Sequence, residues 1–571
     1  MKITIAKTAG FCMGVRRAVD MVLDASNTFD GPIYTYGPLI HNPQVLEMLE
    51  GKKIFQLDSI PEKGEGLVLI RAHGVPPEDE IALNRAGFRV MNATCPRVIR
   101  VQVIIDKHAK KGYSTIIVGD PKHPEVVGLL GYTRGSGYTV TSMDQLRALP
   151  RFENAVLVAQ TTQNTALYEE IKEWCTENAP HYMLFDTICG STEKRQAEAR
   201  DLAGKNDALI VVGGKQSGNT RRLAQVAAET QIPAVHIEDV SELDISRLMD
   251  AGSIAITAGA STPNWIITDT CAKVEKAFQQ RRPVLGAFVQ ARDFLTKTNL
   301  LLAAGAGSLA YACSVLQGFS QTLDHSVIAM LYVLSMQVLN NIFTIKADRY
   351  NNPDRAVFYE KYLNYLRAMA LCSGTAGLYI AYSTGPVPFF ILLIMSLLGL
   401  AYNSLKISPL LFWKKKKSRI KDIPGSKTVL ITLAWGIVTC ILPAVSNRGS
   451  FFLLALAFLF STGLAFARTA FFDILAIQGD RISGKETLPI LLGEQKSFHL
   501  IMGLLIFDIV LMMGASFLGL LPENAFWLAL VPLFMVLLIR VSKKDKLLSG
   551  GQYEFLIESS FLAAGGLAAV I

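Results

Sequence analysis

From about Lys297 onward the chain is a succession of long apolar segments, and this run constrains the fold more than any other feature. In hydrocarbon every backbone N–H and C=O must be satisfied within the chain, which leaves helices or closed barrels as the spanning structures. Nine stretches have the length and apolarity of membrane helices: 299–317, 325–345, 364–382, 386–404, 427–445, 450–470, 499–519, 524–541 and 553–571. The last also suits an interfacial helix. A large buried core is the alternative, and nine such segments in one run argue against it.

Charge sets the expected orientation. Lys346, Arg349, Arg355 and Lys361 follow the second segment. Lys406, Lys414 to Lys417, Arg419, Lys421 and Lys427 follow the fourth. Arg481, Lys485 and Lys496 follow the sixth, and Arg540, Lys543, Lys544 and Lys546 the eighth. The alternate connections are nearly free of Lys and Arg, with Arg448 the exception. The positive-inside rule places the basic loops, and with them the N-terminal half, in the cytosol. The same bias accounts for much of the net charge of +8, so no nucleic-acid partner is expected. The N-terminus opens directly on a strand-like run without the features of a signal peptide.

Up to about Pro283 the composition is that of a soluble protein, and 571 residues are too many for one core. Apolar runs alternate with amphipathic stretches: Ile3 to Ala6, Leu67 to Ile70, Ser114 to Val118, Ala155 to Ala159, Ala208 to Val212 and Ser253 to Thr257. That alternation predicts α/β structure with largely parallel sheets, whose ligands bind beyond the carboxyl ends of the strands. The expected division is 1–283, a short connector 284–298, and a membrane domain 299–571.

The loops at those strand ends carry the chemistry. Cys12, Cys95 and Cys189 each follow a short apolar run. A helix N-terminus at such a turn favours a thiolate. The chain has eight cysteines without close pairing, and in a reducing compartment ligation is the expected use of the reactive ones. Cys175 and Cys271 lie in helical patterns and read as packing residues. Zinc usually shows Cys-x-x-Cys knuckles, absent here, whereas three separated thiolates suit a [4Fe–4S] cluster with one open iron. His41, His73, His123, Thr161, Ser217, Gly218, Asn219 and Ser261 stand on the other loops. Their imidazole, hydroxyl, amide and backbone groups suit a diphosphate; taken singly, the two serines read as helix caps. Glu125 is the carboxylate placed to supply a proton.

These motifs together are specific. Phe11-Cys12-x-Gly14-Val15-x-Arg17-Ala18, Ala72-His73-Gly74-Val75, Ala93-Thr94-Cys95-Pro96 and His123-Pro124-Glu125 resemble the 4-hydroxy-3-methylbut-2-enyl diphosphate reductases. So do Gln160-Thr161-Thr162, Ile188-Cys189, Ser217-Gly218-Asn219 and Thr257-Ala258-Gly259-Ala260-Ser261, over roughly residues 1–281. The resemblance implies an α/β trefoil of three related units around a [4Fe–4S] cluster on Cys12, Cys95 and Cys189. It implies a substrate held by His41, His73, His123, Thr161, Ser217, Asn219 and Ser261, with Glu125 as proton donor. Gly218 replaces a serine common in relatives. An electron donor such as ferredoxin or flavodoxin is implied as partner. A membrane-bound redox module without a diphosphate pocket is the alternative.

The second half resembles the UbiA-type intramembrane prenyltransferases, an all-α polytopic domain of about nine helices, with Ile423-Pro424-Gly425-Ser426-Lys427 in its central loop. Two expected cytosolic loops, Asn340 to Arg349 and Asp473 to Arg481, carry residues that would bind magnesium and a prenyl diphosphate: Asn340, Asp348, Asp473 and Asp480. Three positions that are aspartate in the family hold Asn341, Thr344 and Ala476. Two readings follow, an active transferase or a domain that anchors the reductase and binds lipid without turnover.

Overall fold

The computed structural model describes residues 2–571 apart from 231, 280–282, 321–322, 405, 408–417, 420–424, 448, 486 and 545–549. Lys414 to Lys417, Lys421, Ile423, Pro424, Arg448 and Lys546, named above, lie outside the described residues. The chain divides into two compact units, Met1–Phe278 and Gln279–Ile571.

The first unit holds three four-stranded sheets, parallel throughout. One has the spatial order Ile54–Leu57, Ile33–Tyr36, Leu67–Ile70, Arg89–Asn92. The next runs Gly137–Val140, Ser114–Val118, Ala155–Ala159, Met183–Leu184. Ranked along the chain, both sheets read second, first, third, fourth. The last sheet runs Ala234–Ile237, Ala208–Val212, Ser253–Ala258, Lys2–Ile5. It has the same order once the N-terminal strand is taken as its fourth member. The unit is therefore a threefold repeat whose last copy is closed by the start of the chain.

Burial explains the strand sequences. Leu67–Ile70, Ala155–Ala159 and Ala208–Val212 are buried at every position. Helices cover both faces of a parallel sheet, so its inner strands read as continuous apolar runs rather than alternating ones. Cys175 and Cys271 are buried in the helices Thr165–Asn178 and Asn264–Gln279.

The second unit is helical. Among the described residues, five helices are long and apolar enough to cross a membrane: Leu323–Asn351, Ser426–Asn447, Phe451–Leu475, Glu494–Phe517 and Glu523–Lys543. A sixth span arises if the bent pair Gly286–Lys297 and Leu300–Leu316, at 69°, counts as one. The other expected segments are helical as Leu363–Thr384, Pro386–Ser404 and Gly550–Ala568. Of these, Pro386–Tyr402 is apolar but shorter, and the last carries Glu554 and Glu558.

The stretch 284–298 is largely the helix Pro283–Lys297, in which Val289 is buried. One expectation changes. The residues expected in two loops are helical: Asn340 to Arg349 lie inside Leu323–Asn351, and Asp473 and Asp480 lie in Phe451–Leu475 and Ile477–Ile482. Their polar residues interrupt the apolar pattern, which reads as a loop in sequence. Each helix simply continues past its apolar part.

The N-terminal strand makes a direct prediction. Ala6 is fully buried and its N–H donates to the Ile256 carbonyl at 2.8 Å. Ala6→Pro deletes the donor and strands a buried acceptor, a cost of about 1–3 kcal/mol before ring clashes. Pulse proteolysis should show the first unit unfolding at lower urea; an unchanged midpoint would contradict this closure.

Candidate active site and a polar centre in the membrane unit

Strand rank fixes where each site residue stands. The first-ranked strands end at Tyr36, Val118 and Val212, and His41, His123 and Ser217 each lie five residues further on. His123 and Ser217 are the N-caps of Pro124–Leu130 and Gly218–Ala228, and Asn42, beside His41, caps Pro43–Gly51. The third-ranked strands lead to His73, Thr161 and Ser261. The fourth-ranked strands lead to Cys12, Cys95 and Cys189.

Each of these cysteines is the N-cap residue of a helix: Met13–Thr28, Pro96–Ala109 and Gly190–Lys205. Each backbone N–H donates to the loop after a third-ranked strand: Cys12 to Ala260 (3.1 Å), Cys95 to Ala72 (2.9 Å) and Cys189 to Thr161 (2.9 Å). Gly14 lets two of them approach, since a Cβ there would lie 2.4 Å from Cys95 Sγ. Arg17 Nη1 donates to the Thr94 carbonyl at 2.9 Å, steadying the Cys95 loop. Arg195, buried, donates to the carbonyls of Ala258 (2.9 Å) and Gly10 (2.7 Å) and lies within electrostatic reach of Cys12 and Cys189.

The expected thiolate preference is overturned at Cys95. Burial raises its pKa; neighbouring thiols at Cys12 and Cys189 add to this, and the N–H groups of Arg97 and Val98 only partly oppose it. Cys95, whose ionisation burial and its two neighbouring cysteines disfavour, completes a donor set that a cation would relieve. The set fits a cysteine-ligated iron–sulfur cluster.

The imidazoles of His41, His73 and His123 have facing ring nitrogens within 4.8 Å of one another. All three pKa values are depressed. Burial is the main cause for His41, followed by Arg71 and Arg221. Burial, then His41 and His123, holds His73 well below its usual range. Burial, then His41, brings His123 to about 4. Three neutral imidazoles can ligate a metal, but two nearby guanidiniums oppose a cation and favour an anion. Buried His41 Nε2, His73 Nδ1 and Asn219 Nδ2 have no hydrogen-bond partner, as expected of donors aimed at a ligand.

Ser261 Oγ donates to the His41 carbonyl at 3.1 Å and lies 3.2 Å from Ser217 Oγ. Gly218 has a local reason: a Cβ would sit 3.2 Å from His123 Nε2 and 3.4 Å from Thr162 Oγ1. Glu125 is buried, and its carboxylate accepts from the Thr161 N–H (2.7 Å) and Thr161 Oγ1 (2.9 Å). Burial raises its pKa to about 7 against those two bonds. Threefold placement sets Cys12, Cys95, Cys189, His41, His73, His123, Thr161, Ser217 and Ser261 at equivalent strand ends. Arg71, Arg221 and Arg195 join them from positions that read in sequence as ordinary helix or loop residues.

In the membrane unit the surviving aspartates are already engaged. Lys427 Nζ lies 2.7 Å from Asp473 Oδ1, and Thr428 Oγ1 donates to Asp473 Oδ2 at 2.9 Å. Asp480 Oδ1 accepts from Asn351 Nδ2 at 2.8 Å and lies 3.5 Å from Lys485 Nζ. Thr344 Oγ1 donates to Asp348 Oδ2 at 3.1 Å. Asn341 bonds instead to Tyr359 (3.2 Å) and Asn299 (3.4 Å), with partly buried Asn340 beside it on the helix. With two carboxylates each held by a lysine and three positions lost, this donor set does not fit a pre-formed two-magnesium centre.

The chain matches the LytB protein family model over residues 3–275 and the UbiA prenyltransferase family model over residues 300–551. It is 40% identical over 287 residues to the 4-hydroxy-3-methylbut-2-enyl diphosphate reductase of Opitutus terrae, covering 48% of this chain and 99% of that protein. A solved structure of the Plasmodium falciparum E-1-hydroxy-2-methyl-but-2-enyl-4-diphosphate reductase is 28% identical, with 46% of this chain and 85% of that chain covered and a TM-score of 0.45. A UbiA homolog from Aeropyrum pernix K1 is 16% identical, with 47% and 98% covered and a TM-score of 0.38. The chain thus belongs to the LytB family of 4-hydroxy-3-methylbut-2-enyl diphosphate reductases and carries a UbiA prenyltransferase family domain behind that unit.

Proposed function

We propose that the first unit reduces 4-hydroxy-3-methylbut-2-enyl diphosphate to isopentenyl and dimethylallyl diphosphate. The allylic C–O bond breaks, two electrons and two protons are consumed, and water leaves. The observation that carries this reading is the pairing of a three-cysteine donor set with a buried, cation-flanked group of unpartnered donors. A redox module without a substrate has no use for the second feature.

His41, His73, His123, Ser217, Asn219 and Ser261, with Arg71 and Arg221 behind them, hold the diphosphate. Helix N-termini after His41, His123 and Ser217 add fixed dipoles. Cys12, Cys95 and Cys189 would hold a [4Fe–4S] cluster, which when bound supplies electrons and a Lewis-acidic iron. Thr161, hydrogen-bonded to Glu125 through both backbone and hydroxyl, orients the carboxyl and relays its proton towards the substrate. A carboxyl with a pKa of about 7 stays substantially protonated near neutrality, as a general acid requires. A reduced carrier protein such as ferredoxin or flavodoxin is the proposed electron source.

The second unit is proposed as a nine-helix membrane domain that keeps the first unit on the cytosolic side, following the domain limits 1–283 and 299–571. Its polar centre at Asp348, Asp473 and Asp480 is proposed to take a prenyl diphosphate. Each lysine ammonium has three donors, so Lys427 and Lys485 can bind phosphate while remaining paired with Asp473 and Asp480. No transfer step is assigned to it.

Three measurements test these assignments. Glu125→Gln keeps the Thr161 contact but not the acid and should lower anaerobic turnover about 10²–10⁴-fold. Wild-type turnover should decline as pH rises through about 7, the value at which Glu125 loses its proton; an activity retained in Glu125→Gln would remove it from the reaction. Inorganic diphosphate should bind with proton uptake near pH 6.5, because an anion raises the depressed histidine pKa values. Calorimetry in two buffers of different ionisation enthalpy reads that uptake, and proton release would argue against an anion beside the imidazoles. In the membrane unit, a prenyl thiodiphosphate should bind the detergent-purified chain with an affinity little changed by chelator and lowered about tenfold or more by Lys427→Ala. Strict magnesium dependence would instead establish a metal site there.

A further inference from the structure

We propose that the helix faces beside Cys12 and Cys95 form the docking surface for a small acidic one-electron carrier protein. This rests on the reductase reading above, which requires electrons to enter from outside. Met13 directly follows Cys12 and is 64% exposed. On the helix that Cys95 caps, Ile99 and Val103 are 37% and 59% exposed, one turn apart on one face. Arg16 follows Met13 by three residues on its helix, Arg97 and Arg100 flank Ile99 on theirs, and all three arginines are exposed. The two helix starts abut, since a Cβ on Gly14 would touch the Cys95 sulfur and Arg17 bonds to the Thr94 carbonyl.

Their charge runs against local preference. Helix N-termini favour acidic residues, yet the first turns of Met13–Thr28 and Pro96–Ala109 contain none and carry arginines. The helix capped by Cys189 has Glu193 in its first turn, so the three starts are not alike. Neutralising the thiol groups does not require exposed apolar side chains between the arginines. Exposed apolar side chains interspersed with arginines on two abutting helix starts complement an acidic carrier, and Met13 stands one residue from a proposed ligand at Cys12. The imidazoles follow the first- and third-ranked strands and Glu125 is buried in the helix after His123, whereas Met13, Ile99 and Val103 stand on the helices that follow the fourth-ranked strands.

The test uses the full-length, anaerobically purified protein and a reduced or oxidised acidic ferredoxin as probe. Binding is measured by biolayer interferometry, and turnover is driven in parallel by the ferredoxin and by reduced methyl viologen. Arg97→Glu/Arg100→Glu should weaken ferredoxin binding at least tenfold and flatten its salt dependence. Ferredoxin-driven turnover should fall by a similar factor, while viologen-driven turnover stays within about twofold. Met13→Ser should weaken binding independently of salt. Unchanged ferredoxin binding in both variants would overturn the docking surface. Absence of viologen-driven turnover in the wild type would instead overturn the reductase reading.

Discussion

The backbone hydrogen bond from each cysteine N–H to the loop of the neighbouring strand is the constraint on which the first unit's site depends. Cys12, Cys95 and Cys189 sit on different sheets, and their side chains are not joined to one another. Their positions are set by main-chain bonds to Ala260, Ala72 and Thr161. Because the same strand order occurs in each sheet, these bonds place the three cysteines at equivalent positions, and Arg17 and Arg195 tie the loops of different sheets to one another. The third copy is completed by Lys2–Ile5, so the first strand of the unit and its last described one, Ser253–Ala258, are register partners. The centre therefore forms only when the two ends of the unit have met.

That frame supports a site that is costly when empty. Several buried donors lack partners, each worth about 1–3 kcal/mol of lost solvation. His123 is pushed down, so its protonation opposes folding as pH falls below the ordinary histidine value. Glu125 is pushed up to about 7, so its ionisation opposes folding as pH rises from the ordinary carboxylate value through 7. Fully buried strands on all three sheets offset these penalties. The same groups that weaken the empty fold are those an anion with a reacting oxygen would satisfy.

Much of this could be read in the sequence because the site residues occupy strand ends, and strand ends are marked by where apolar runs stop. His73 and Thr161 are visible that way. Arg195 and Arg221 are not, because an arginine in a helical pattern reads as a solvated face; only the fold turns Arg195 inward to the carbonyls of Gly10 and Ala258. The raised pKa at Cys95 was equally hidden, since a helix cap suggests the opposite and only burial reverses it. In the membrane unit, Asp348 and Asp473 read as loop residues because hydropathy falls there. A helix that ends in a polar centre gives the same fall.

The charges of that centre bear on whether the second unit is only an anchor. Lys427 with Asp473, Arg468 with Glu558 at 2.6 Å, and Arg355 with Glu554 are pairs whose members are mostly buried. Asp508 is buried with neither carboxylate oxygen partnered, against Gly463. Replacing a buried ion pair by apolar residues is often neutral or stabilising, and in hydrocarbon each charge is dearer still. A unit required only to hold the chain in a bilayer gains nothing by keeping them. The three lost carboxylate positions remove metal-binding capacity, yet the lysine-paired aspartates and their threonine and asparagine donors remain assembled.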